Sequence, residues 1–258
     1  MRLCIKDIEF GYGSHQILDK VSLDLKSSEI VAISGPNGVG KSSLIKCISL
    51  ILNSRGSICL DGQEIKTMNK RDIARKIGYV PQYIPTVFSL TVFDMVLMGR
   101  RPYLGWKSSR IDRKKVVEVL SLMGIEELAM RDFNELSGGQ QQKVVIARTL
   151  AQEPDILLMD EPTSNLDLKH QLEVMALIRR LAATKSISAI MALHDLNLAS
   201  RYADRIVLMK DGRIFCQGDA GTTLTPANIQ SIYGVKAVVR QEAGKPYIVP
   251  IVSHSMTI

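Results

Sequence analysis

The sequence has 258 residues, 46% of them apolar and 23% charged, which argues against a disordered chain and suits one sizeable globular domain. Its 33 basic and 26 acidic residues leave a net charge of +7; this favours anionic ligands or an anionic membrane surface, though an ordinary solvated surface accounts for it too, since no run of five like charges occurs. Four scattered cysteines (Cys4, Cys47, Cys59, Cys216) without CxxC spacing argue against a zinc site or a disulfide framework and fit a reducing compartment.

The first ten residues, MRLCIKDIEF, carry Arg2, Lys6, Asp7 and Glu9, so no apolar leader is expected there. Segments 3–10, 21–25 and 56–60 read as short strands, with turns at 11–13 and 61–62, and fit a small antiparallel sheet. The continuous apolar runs IVAI (30–33), ILLM (156–159), ISAIMAL (187–193) and IVLM (206–209) predict strands buried on both faces, hence a parallel sheet covered by helices. Helical patterns at 41–51, 139–151 and 169–184 alternate with them, the signature of an α/β fold. Between about 86 and 150 the patterning becomes amphipathic and helical, at 92–98 and 113–123, which predicts a helical lobe inserted into the core. About forty residues follow Gly218, too few for an independent regulatory domain. No run approaches the 18 or so apolar residues that a membrane helix needs, so a soluble chain is expected, with any membrane role reached through a partner.

The segment Gly35-Pro36-Asn37-Gly38-Val39-Gly40-Lys41-Ser42 matches G-x-x-x-x-G-K-[ST] between a predicted strand and a predicted helix. Glycines let backbone N–H groups close around phosphate oxygens, and the helix that carries Ser42 and Ser43 adds positive partial charge. Lys41 then reaches the β- and γ-phosphates and the Ser42 hydroxyl ligates Mg²⁺. ILLM ends in Asp160 and Glu161, at the end of a strand where open α/β sheets bind ligands. Asp160 suits the metal's shell and Glu161 suits polarising water, although ILLMDE by itself equally describes a strand and a polar turn.

Between these sites stands Leu136-Ser137-Gly138-Gly139-Gln140, a good helix start in its own right with Ser137 as cap. In this order and spacing, with the phosphate loop and the acidic strand, it resembles the ABC ATPase family over about residues 3–218. The resemblance implies a P-loop NTPase core with a mostly parallel sheet, an N-terminal antiparallel β subdomain and an inserted α-helical subdomain. It implies one cassette: core at 1–85 and 151–218, helical signature subdomain at 86–150, and a short tail at 219–258. ATP and Mg²⁺ are the implied ligands. Tyr12 matches the aromatic that stacks on adenine, with a core tyrosine as the alternative. Gln82 matches the glutamine that touches Mg²⁺ and water, Glu161 the catalytic carboxylate and His194 the histidine at the γ-phosphate. Asp167, in Ser164-Asn165-Leu166-Asp167, matches a loop that communicates across a dimer; Asn165 departs from the family's usual alanine. Two copies are implied head to tail, with Ser137, Gly138, Gly139 and Gln140 of one closing over ATP held by Lys41 of the other.

The segment Thr91-Val-Phe-Asp-Met-Val-Leu-Met-Gly-Arg-Arg-Pro-Tyr103 is similar to that of ATPases from iron–siderophore, haem and vitamin B12 importers, some of whose group handle molybdate or tungstate. Asn228-Ile-Gln-Ser-Ile-Tyr-Gly-Val235 is similar to their tail. This implies a separate membrane permease, indirectly a substrate-binding protein, no nucleic acid, and a place on the cytoplasmic face of the membrane. Val92, Met95, Val96 and Met98 either line a groove for a permease helix or pack the lobe. Two alternatives stay open: a soluble ABC ATPase of iron–sulfur cluster assembly, and a nucleotide-binding scaffold that does not hydrolyse.

Overall fold

The structure, a computed structural model, describes residues 2–82, 89–104, 108–164 and 166–251. It begins with an antiparallel hairpin, β1 (Leu3–Tyr12) and β2 (His15–Leu25). The turn falls at Gly13 and Ser14, not at 11–13: Gly11 lies inside the ladder opposite Gln16, where a Cβ would stand 2.6 Å from the His15 carbonyl oxygen. β3 (Ile30–Ser34) is buried throughout and leads into α1 (Lys41–Ile48), which stops before the expected residue 51 as Leu50 turns to a φ of 58°. β4 (Arg55–Leu60), β5 (Gln63–Glu64), α2 (Lys70–Lys76) and β6 (Ile77–Val80) follow. Next come α3 (Val92–Leu97), α4 (Arg110–Met123) and α5 (Gly138–Leu150). The chain then alternates through β7 (Ile156–Asp160), α6 (Leu168–Lys185), β8 (Ser188–Ala192), α7 (Leu196–Tyr202), β9 (Arg205–Lys210) and β10 (Arg213–Gly218). It closes with α8 (Ala220–Thr223), α9 (Pro226–Tyr233) and a second hairpin, β11 (Lys236–Glu242) and β12 (Lys245–Ile251).

Among the described residues the six-stranded sheet runs β10-β9-β3-β8-β7-β6, parallel except for β10 at its edge, and the antiparallel sheet runs β2-β1-β4-β5. Buried strands send alternate side chains to opposite faces. Val31, Ile33, Ile156, Leu158, Ile190 and Val207 therefore join α1 and the antiparallel sheet in one apolar cluster. Ala32, Leu157, Met159, Met191, Ile206 and Leu208 join the helical region and α6 in the other. Val92, Met95 and Val96 belong to this second cluster and only Met98 is exposed, so the apolar face of α3 packs the molecule's own core instead of lining a groove. No helix of the described residues is long and apolar enough to cross a membrane.

The segment after Gly218 is tied to the core. Ile229, Ile232, Ala237 and Ile248 are buried in the second cluster. The Asn197 side chain and the Ile248 backbone exchange two hydrogen bonds, of 3.3 and 2.8 Å, and the Ser200 hydroxyl donates to the Pro246 carbonyl at 2.7 Å.

Candidate nucleotide site

The phosphate loop owes its path to three glycines. Gly35, Gly38 and Gly40 have φ of 153°, 78° and 104°, a range that side chains with a Cβ avoid. At Gly35 a Cβ would stand 2.5 Å from the Met209 carbonyl oxygen, whereas at Gly38 it would meet nothing within 4 Å, so the loop is pressed onto the core on one side and open on the other. The first hydrogen bond of α1 runs from the Leu44 N–H to the Gly40 carbonyl, 2.8 Å, which leaves the N–H groups of Lys41, Ser42 and Ser43 ahead of it. Free N–H groups at a helix start facing open space form an anion cradle.

Lys41 is 5% exposed, and its Nζ donates to the carbonyls of Gly35 and Pro36, each at 2.8 Å. Burial lowers its pKa, with Glu161 and Asp160 acting the other way. The Ser42 hydroxyl donates to Asp160 Oδ1 at 2.6 Å. Asp160 closes β7 and is buried; burial raises its pKa above the ordinary value, opposed by the Ser42 hydrogen bond and by Lys46 and Lys41. Two adjoining hard oxygen donors suit Mg²⁺, which takes few protein ligands and completes its octahedron with phosphate and water. Among the described residues no group of three metal-binding side chains offers a fuller cage.

Glu161 follows with φ of 50°, a left-handed backbone unusual for a residue other than glycine. Gln82 Nε2 donates to its Oε2 at 2.5 Å, and the His194 ring Nε2 contacts its Oε1. Gln82, Glu161 and His194 stand just beyond the carboxyl ends of β6, β7 and β8, so the parallel sheet gathers all three at one edge. Tyr12 ends β1 with 55% of its surface exposed, its ring perpendicular to that of Phe10, and is not a core residue.

Ser137, Gly138, Gly139 and Gln140 open α5 through a capping box: the Ser137 N–H donates to Gln140 Oε1 at 3.1 Å and the Gln140 N–H to Ser137 Oγ at 3.4 Å. Among the described residues no hydrogen bond joins this segment to the phosphate loop of the same chain. Asp167 caps α6. Asn165 and the 85/86 boundary lie outside the described residues.

Two tyrosines near the site were not legible beforehand. Burial, helped by the Asp160 charge, pushes the Tyr79 phenol up to about 12. Burial also pushes the Tyr233 phenol up to about 12, and Tyr233 lines a cleft together with His194. The likeness of the 228–235 stretch gave Tyr233 no role, and only the apolar setting of Tyr79 in IGYV hinted at burial.

A phosphate cradle on a helix start, a hydroxyl–carboxylate pair and a carboxylate held at the edge of a parallel sheet define a nucleotide-binding protein of the P-loop class. Residues 18–164 match the ABC transporter family model, and the chain belongs to that family. It is 47% identical over 252 residues to an ABC transporter ATP-binding protein of Methanocaldococcus jannaschii, covering 97% of this chain and 98% of that one. It is 38% identical over 250 residues to a petrobactin import ATP-binding protein of Bacillus anthracis, covering 95% and 92%. Among solved structures, a chain of a transporter described as of the metal-chelate type, inward-facing, superposes with a TM-score of 0.84 at 28% identity, covering 97% of each chain. A dimeric ATP-binding cassette bound to ADP and Pi superposes with a TM-score of 0.75 at 31% identity, covering 84% of this chain and 98% of that one. The expected family and fold therefore stand.

Proposed function

We propose that this chain binds ATP with Mg²⁺ and hydrolyses it as the motor subunit of a metal-chelate importer. The observation that carries the reading is the convergence of Gln82 and His194 on Glu161, next to the Ser42–Asp160 pair. Lys41 and the N–H groups of the loop from Gly35 to Ser43 take the phosphates, and Tyr12 gives the adenine a flat apolar face. Ser42, Asp160 and Gln82 hold Mg²⁺, which when bound neutralises charge on the β- and γ-phosphates. Glu161 accepts a proton from the attacking water, and His194 orients the γ-phosphate.

Ser137 to Gln140 and Asp167 act on the ATP of a second copy, arranged head to tail, so the site is completed only by dimerisation. ATP binding closes the pair and product release opens it, which passes motion to a separate permease. The chain works on the cytoplasmic face of the membrane, with a substrate-binding protein upstream of the permease. Likeness to petrobactin import and metal-chelate transport proteins favours an iron–siderophore, haem or cobalamin substrate, with molybdate or tungstate next, over iron–sulfur cluster assembly.

Two measurements test this. E161Q is expected to retain ATP affinity, lose phosphate release and accumulate an ATP-bound dimer; rapid hydrolysis by E161Q refutes the role of Glu161. Affinity purification from gently solubilised native membranes is expected to recover a polytopic membrane protein in equal amount. Recovery with soluble scaffold proteins alone would favour the cluster-assembly alternative.

A further inference from the structure

The two segments assigned to act on the second copy's ATP, Ser137 to Gln140 and Asp167, start different helices, α5 and α6. Within one chain His170 bridges them. Its ring Nδ1 lies 2.8 Å from Asp167 Oδ1, and its backbone N–H donates to the same oxygen at 2.9 Å. An ionised carboxylate only accepts, so Nδ1 carries the proton of this contact. The same ring lies against Gly139: a Cβ built there would be 3.3 Å from His170 Cγ and 3.4 Å from Nδ1, tighter than ordinary contact. Gly139 thus leaves room for the imidazole, and the imidazole fixes the carboxylate. One turn further along both helices, Lys143 Nζ meets Glu173 Oε2 at 2.7 Å, a second link between the same two elements.

We propose that His170 is a positioning residue for ATP hydrolysis, holding Asp167 in register with the Ser137–Gln140 segment so that both meet the second copy together. This rests on the head-to-tail dimer of the preceding section. The contact itself adds little stability, because Asp167 is 66% exposed in its side chain and exposed ion pairs are weak. Its value lies in orientation, since a closed dimer needs two segments placed at once on each of its two sites.

The test uses the full chain in the E161Q background, with H170A and H170N added singly. E161Q is expected to dimerise on a sizing column with Mg²⁺-ATP. E161Q/H170A should need about tenfold more ATP for the same dimer fraction, about 1.4 kcal/mol of lost coupling, while its affinity for a fluorescent ATP analogue as a monomer stays within about twofold. E161Q/H170N keeps an N–H donor near the position of Nδ1 and should recover most of the loss. With Glu161 intact, H170A should raise the apparent KM for ATP about tenfold, in step with the dimerisation shift, and H170N should restore most of it. Dimerisation of E161Q/H170A at the parent's ATP concentration overturns the proposal. So does an H170N no better than H170A with an equal fall in melting temperature, which marks a purely structural role. If E161Q itself stays monomeric with ATP, the dimer reading fails and takes this inference with it.

Discussion

Replacing Asp160 by asparagine should raise stability without nucleotide and cut the stabilisation that nucleotide gives. Asp160 is 2% exposed, and its raised pKa means that burial outweighs the help from Ser42, Lys46 and Lys41. A carboxyl whose folded pKa lies above its unfolded value binds more protons when folded, so its contribution is greatest in acid and is lost as pH rises through the raised pKa. At neutral pH the ionised group therefore subtracts from stability. D160N keeps an oxygen to accept the 2.6 Å bond from Ser42 and removes the charge. A gain of about 0.5–2 kcal/mol is expected without nucleotide. For a chain of this size that is a rise in Tm of about 1–8 °C. With Mg²⁺-ATP at about a hundred times Kd the wild type gains about 2.7 kcal/mol. Loss of a charged ligand weakens binding by about 1.5–3 kcal/mol, roughly ten- to a hundredfold. At the same ATP concentration D160N then gains only about 0.4–1.4 kcal/mol. Thermal melts with and without Mg²⁺-ATP, from mildly acidic to neutral pH, read both quantities, and the wild type should close the gap on D160N as pH falls. A D160N that melts lower than the wild type without nucleotide, or an undiminished ATP shift, refutes the reasoning.

K41A removes the charge that meets the phosphates; two charge-assisted contacts of about 1.5–3 kcal/mol each predict more than about a hundredfold loss of ATP affinity by calorimetry. S137R should leave ATP binding by the monomer intact and prevent ATP-driven dimerisation of E161Q, read on a sizing column. S188A tests the scaffold: the buried Ser188 hydroxyl accepts from the Ser28 N–H and donates to the Lys26 carbonyl, both at 3.0 Å. Orphaning those two backbone groups should cost about 1–3 kcal/mol, seen as a lower urea midpoint with an unchanged m-value.

The phosphate loop and Asp160–Glu161 were legible because their chemistry demands fixed residues within one short segment beside a strand. The central strands were legible for a similar reason: burial on both faces writes continuous apolar runs such as ILLM. β6 was not, since Gly78 and Tyr79 interrupt its run. Gly78 is set by a distant partner, the Thr149 methyl on α5, which a Cβ would approach to 2.6 Å. The first half of β2 was hidden by shifts of register between Ile5 and Gly11 of its partner strand, which break simple alternation. The meeting of Gln82 and His194 on Glu161 depends on the sheet placing β8 beside β7 and β7 beside β6, an order absent from the linear sequence.

The terminal hairpin has a practical bearing on where the chain can be cut. The general ABC ATPase resemblance ends near Gly218, and a boundary there looks natural on paper. Yet α7 starts two residues after His194, capped by Asp195, and the hairpin is buttoned to that helix at Asn197 and Ser200. Truncation at Gly218 would bare the apolar surfaces that face Ile229, Ile232 and Ile248 and unfasten the helix that anchors His194. A minimal cassette for expression must therefore run through Ile251, and a reporter fused closer in would pull on the nucleotide site it was meant to leave alone.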